Sequence, residues 1–199
     1  MKSALLPFFL FLLLSTAAFA QAAANAPKSA TPAPQAAEAP RTVSSVMDRS
    51  LSGVEREFVS AAEAMPEDKY SFAPTTGEFK GVRTFAQQIK HVAAVNYMVF
   101  SIMLGEKSPD TGGENGHESL KTKAEIVKYL KDSFVLGHRA MAGITPENQV
   151  ESIPSPFGGG TTTRLGMGTL IVGHCFDHYG QMVEYLRLNG IIPPASRGQ

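Results

Sequence analysis

The strongest constraint lies in the segment Gly173-His174-Cys175-Phe176-Asp177-His178-Tyr179-Gly180-Gln181-Met182-Val183-Glu184-Tyr185-Leu186-Arg187-Leu188-Asn189-Gly190. Apolar residues recur every three or four positions, at Leu170, Phe176 or Tyr179, Val183 and Leu186, the period of a helix with one buried face. Asn189-Gly190 followed by Pro193-Pro194 marks its end, because glycine accepts the left-handed C-cap conformation and proline cannot continue a helix. His174 and His178 sit four residues apart. On a helix that places them about 40° apart and one turn along the axis, so both imidazoles can reach one metal ion. The spacing alone equally suits two core or surface histidines.

Three more stripes of the same kind precede it. The first helix is expected over about 42–65, with Val43, Met47, Leu51, Val54, Phe58, Ala61 and Met65 on one face and Pro66 as its stop. Its other face carries Asp48, Arg49, Glu55, Arg56 and Glu63, with Glu57 beside Phe58 and partly inward. The second is expected over about 84–104, opened by a capping box Thr84-x-x-Gln87 and bearing Phe85, Ile89, Val92, Tyr97 or Val99, and Met103. His91 shares a mostly apolar face with Gln88, Val95 and Met98, which suits a satisfied core histidine as well as a ligand. The third runs over about 122–142, from the box Thr122-x-x-Glu125 through Ile126, Leu130, Phe134 and Met141, with His138 at the stripe's edge. The fourth spans about 163–189. With no period-two pattern and no internal repeat, these stripes predict an all-α four-helix bundle without a sheet.

The connections are long. Residues 66–83 include Tyr70 and Phe72, aromatics that would pack the loop against the bundle. Residues 105–121 are rich in Gly, Glu, Lys and Ser, which places His117 in a solvated loop. Residues 143–162 contain Pro146, Pro154, Pro156 and Gly158-Gly159-Gly160 and read as a third loop.

The N-terminus reads as an address. Lys2, the apolar run Leu5 to Leu14 and Ala18-Phe19-Ala20 have the order of a signal peptide over 1–20, cleaved before Gln21. The run is too short for a comfortable membrane span, and with no cysteine after the cleavage site a lipid anchor is excluded. The mature chain is expected to be periplasmic or secreted, with no stable membrane anchor. Residues 21–41, rich in Ala, Pro and Gln, cannot bury a core and read as a disordered linker, leaving 42–197 as the folded domain. Without Lys2, 17 basic residues face 18 acidic ones, so no basic patch argues for nucleic acid. Cys175 is the only cysteine. An internal disulfide is therefore excluded, and mid-helix it reads as a small apolar packing residue rather than a nucleophile.

Sites in helix bundles are built from side chains projecting inward from facing helices. His91 on the second helix and His174 and His178 on the fourth then form a candidate three-imidazole site. With an open position, such a site suits zinc, nickel, iron or manganese. A zincin would need Glu where Cys175 stands, and a ferritin-like di-iron site would need Glu-x-x-His pairs that are absent.

The segments Phe85-Ala86-Gln87-Gln88-Ile89-Lys90-His91-Val92-Ala93, Lys69-Tyr70-Ser71-Phe72-Ala73-Pro74, and His174 through Pro194 resemble the DinB-like superfamily over most of 42–197. The resemblance implies a four-helix bundle of unusual connectivity with a three-histidine divalent metal site. Its ligands would fall on His91, His174 and His178. It also implies transferases or isomerases that use low-molecular-weight thiols, since a coordinated thiol is deprotonated. An exported chain departs from that thiol pool, which brings in hydrolysis by a metal-activated water as the other chemistry. Two function classes follow: a metal-dependent transferase or hydrolase acting on a small molecule, and a non-catalytic metal-binding or stress-related module. An open pocket and polar groups behind the histidines mark the first. A fourth protein ligand, such as His138, marks the second. A small-molecule substrate and a homodimer are the associations left open.

Overall fold

The computed structural model describes residues 41–198. The expected signal peptide, and the expected linker up to residue 40, lie outside the described residues. Four helices form the bundle: α1 (Val43–Ala64), α2 (Phe85–Leu104), α3 (Lys123–Ala142) and α4 (Arg164–Leu188).

Every helix opens on a threonine. The hydroxyls of Thr42, Thr84, Thr122 and Thr163 accept the backbone N–H of Ser45, Gln87, Glu125 and Gly166. At the first three, the side chain of that third residue accepts the threonine N–H in return, closing a capping box. Each such cap contributes about 1 kcal/mol. The ends are as well defined. α1 stops at Met65 before Pro66, and Lys123 reaches across to donate from Nζ to the Glu63 and Met65 carbonyls at 2.7 and 2.8 Å. Gly105 ends α2 with φ 70°. After α4, the Ile191 N–H returns to Leu186 O at 2.9 Å around Gly190 at φ 72°, a Schellman arrangement.

α1 and α2 each pack against both α3 and α4. α1 therefore faces α2 across one diagonal, and α3 faces α4 across the other. The connections 65–84 and 143–163 therefore cross the bundle from corner to opposite corner. The first is fastened by its aromatics: Tyr70 packs edge-to-face on Phe85 and donates its hydroxyl to Ala62 O at 2.7 Å, while Phe72 meets Tyr185. The core is built on fully buried Phe58, Phe85, Phe100 and Phe134. Gly137 lets α3 close on it, since a Cβ there would stand 2.6 Å from the Phe100 ring and 2.9 Å from Leu51.

The structure corrects the sequence-based expectation in three places. The connection 143–163 is not all loop: β1 (Ser152–Pro154) pairs antiparallel with β2 (Thr161–Thr163), Ser152 opposite Thr163. Strands of three residues cannot display a period-two pattern, and only Ile153 among them is buried. On α4, Leu170 and Phe176 face solvent, and the buried line is Met167, Ile171, Cys175, His178, Met182, Tyr185 and Leu186. A histidine on the inward face hid that register. His117 is half-buried rather than exposed. Among the described residues, no helix is long and apolar enough to cross a membrane.

Candidate metal centre

α2 and α4 run side by side in opposite directions, so the middle of one meets the middle of the other. His91 from α2 and His174 and His178 from α4 meet there, one ring nitrogen from each lying within 4.8 Å of the others. His91 and His178 are buried and His174 is half-buried. His174 Nε2 lies 3.3 Å from His91 Nε2.

Hydrogen bonds behind the rings fix the tautomers of two of them. His91 Nδ1 lies 2.6 Å from Glu114 O. A carbonyl only accepts, so Nδ1 carries the proton and Nε2 keeps its lone pair. The tautomer of His178 is set through three side chains. The Asp177 carboxylate accepts from Gln181 Nε2 at 3.1 Å, which turns Gln181 Oε1 toward Gln88. Gln88 Nε2 donates to that oxygen at 2.8 Å, which turns Gln88 Oε1 toward His178 Nδ1 at 2.6 Å. His178 Nδ1 is therefore the protonated nitrogen, and Nε2 is its free donor. The chain Asp177–Gln181–Gln88 does for His178 what the Glu114 carbonyl does for His91. Such partners commonly set the orientation of metal-ligating histidines.

His174 lacks such a partner: its Nδ1 is buried with no hydrogen bond. Its Nε2 points at the lone pair of His91. Two imidazole nitrogens held this close satisfy one another only if one carries a proton or if both face a cation. Three neutral imidazole donors of this kind fit zinc, nickel, iron or manganese.

The electrostatics keep the rings neutral. Burial, then the neighbouring His91, pushes His174 down to about 4; burial, then His174 and His91, pushes His178 to about 3. Burial also lowers His91, against the pull of its bond to Glu114 O. The Arg83 charge acts in the same downward direction on all three. A metal ligand must be deprotonated; His174 and His178 meet that condition well below the 6.5 of a free imidazole, and His91 is shifted in the same direction.

The carbonyl behind His91 belongs to the connection 105–122, which is held in several places. Arg83 donates from Nε to Asn115 Oδ1 at 2.8 Å and pairs with the Glu114 carboxylate. Lys90 Nζ donates to His117 O at 3.1 Å, and His117 Nε2 donates to Asp110 O at 2.8 Å. Gly116, at φ 69°, sits so close that a Cβ would stand 2.7 Å from Lys90 Cβ. Beside His91, between α2, this connection and the β1–β2 turn, lies a cavity of about 480 Å³.

The other singled-out residues lie apart from the triad. His138 is clamped between Asp48 and Glu55 of α1 and contributes no fourth ligand. Cys175 is fully buried, its thiol pushed up to about 12 by that burial, with Sγ 3.6 Å from Asn96 Oδ1. It is a packing residue. The sequence reading missed Gln181, Asp177 and Arg83. Gln88 and Gln181 were within reach of it, each a polar residue one helical turn from a candidate ligand on an inward face. The Glu114 carbonyl was not, because a backbone group carries no side-chain signature.

The family model for the DinB superfamily matches residues 50–182. A solved structure from Enterococcus faecalis, described as a conserved protein of its locus, superimposes with a TM-score of 0.61 at 16% identity, covering 75% of this chain and 98% of that one. At that identity the likeness speaks for the fold alone. No curated protein matches the sequence.

Proposed function

We propose, from the premise that this chain belongs to the DinB superfamily, that it is an exported, divalent-metal-dependent enzyme, a transferase or hydrolase acting on a small molecule. The observation that carries this reading is three converging imidazoles, one of which, His91, lines a cavity, with no fourth His, Cys, Asp or Glu joining them among the described residues. A structural site closes its coordination with protein ligands, and a catalytic one leaves a place for substrate.

His91, His174 and His178 would hold the ion through neutral nitrogens. Gln88, with Gln181 and Asp177 behind it, keeps the His178 proton on Nδ1, and the Glu114 carbonyl keeps that of His91 on Nδ1. A bound divalent ion supplies Lewis acidity, which lowers the pKa of a thiol or water placed on it. The chain's own thiol does not serve as nucleophile, because Cys175 is sealed in the core.

The test is the metal content of His174→Ala against His117→Ala, each purified from its own compartment. His174→Ala is expected to lose the ion and His117→Ala to keep it; equal occupancy would overturn the site. A screen of thiol-transfer and ester substrates on the metal-loaded protein then separates the classes, since metal retained with no turnover in either screen favours the binding module. For export, N-terminal sequencing from the native host is expected to begin at Gln21, and finding Met1 would refute it.

A further inference from the structure

We infer that the cavity beside His91 receives the uncharged, apolar part of a small-molecule substrate whose donor head lies at the histidine triad. The inference rests on the metal-site reading above and adds the substrate class to it.

Ala94, Val95 and Met98 line the cavity together with His91. Offsets of three, four and seven place all four on one face of α2. The apolar lining therefore starts at a candidate metal ligand and runs about 10 Å along the helix, at 1.5 Å per residue. Phe157 closes the far side from the β1–β2 turn. Phe157 is 44% exposed, an apolar residue not packed away in the core. The volume of about 480 Å³ falls among pockets that bury small organic ligands.

Charge narrows the occupant. Neither Lys nor Arg lines the cavity, and the one acid that does, Glu114, is already paired with Arg83. A phosphorylated or carboxylate tail would find no counter-charge there, and for an ammonium tail the Glu114 charge is already balanced by Arg83. A buried unpaired charge is costly, so the tail that fits is neutral: an acyl chain or an aromatic ring.

The probes are straight-chain hydroxamic acids, whose head binds a divalent ion whatever the tail. Binding of acetohydroxamic, butyrohydroxamic, hexanohydroxamic and octanohydroxamic acid to the zinc-loaded full chain is measured by calorimetry. Each buried methylene tightens binding by up to about fourfold, so at least a tenfold gain is expected between the acetyl and hexanoyl compounds. In Phe157→Ala this gain should shrink while acetohydroxamic acid binds as before. An eight-carbon compound ending in a carboxylate should bind at least tenfold more weakly than octanohydroxamic acid. If acetohydroxamic acid binds but affinity stays flat with chain length, or the carboxylate tail is accepted equally, the pocket inference falls and the metal site stands. If zinc does not bind, both fall.

Discussion

The triad on α2 and α4 and His138 on α3 use the same side chain in opposite electrical settings. His138 donates from Nδ1 to Asp48 Oδ1 at 2.6 Å and from Nε2 to Glu55 Oε2 at 2.8 Å. Both nitrogens meet acceptors that carry charge, so the ring is held as a cation. Burial lowers its pKa, but the bonds to Asp48 and Glu55 outweigh this and the net shift is upward. In the triad the partners are a carbonyl, an amide oxygen and other imidazoles. At His91 and His178 one proton is placed by a hydrogen bond; at all three rings a second is opposed and the shift is downward. Burial lowers the pKa at both sites, and only at His138 do two carboxylate partners outweigh it.

The contrast can be broken most forcefully at Gln88. Gln88→Leu removes the acceptor for His178 Nδ1 without touching a ligand, and should weaken zinc binding by about 10–100-fold in a competitive chelator titration. His138→Gln should leave that titration unchanged. Equal affinities for Gln88→Leu and the native protein would show that the Asp177–Gln181–Gln88 chain does not orient the ring.

A smaller effect tests Cys175, next to His174 but outside the triad. Cys175→Ala should lower unfolding stability by about 1 kcal/mol or somewhat more through the small void it leaves, with zinc content and any turnover retained. Loss of turnover with zinc still bound would return the thiol to the mechanism.

The smallest effect sharpens the other side of the comparison. The pKa of His138 is raised on folding, so its stabilisation is fully present below the ordinary value of about 6.5 and is lost as pH rises through the folded value. His138 is 33% exposed, and solvent screening holds the contribution below about 1 kcal/mol. Denaturant unfolding of His138→Gln should show a deficit on the acid side of 6.5 that shrinks on the alkaline side. A deficit that grows with pH would mean that the ring is neutral in the folded state.

The four helices were legible because each carries its own start signal and stripe: Thr84–Gln87 and Thr122–Glu125 were visible as boxes, and Leu51, Val54 and Phe58 face inward as their spacing requires. α4 was found by its ends and misread along its length. Leu170 and Phe176 lie outside, while His178 occupies a core position that a hydrophobicity pattern does not assign to histidine. The three triad positions could be named from helical spacing and resemblance. What stands behind them could not, because Glu114 O and the Gln88–Gln181 contact join segments 23 and 93 residues apart. No local pattern records a contact across that distance. The β1–β2 pair escaped because three residues per strand are too few for a period to show.

The separation of His91 from His174 by 83 residues also orders events in time. A chain made only as far as α3 owns one of the three donors, and an unfolded full-length chain owns all three without their geometry. Capture of the ion must wait until the last helix docks, since sites of this kind rarely exist before folding. Were the chain exported, as proposed above, and in an unfolded state, the ion it takes would be decided by the supply at the destination rather than by the supply where the chain was synthesised.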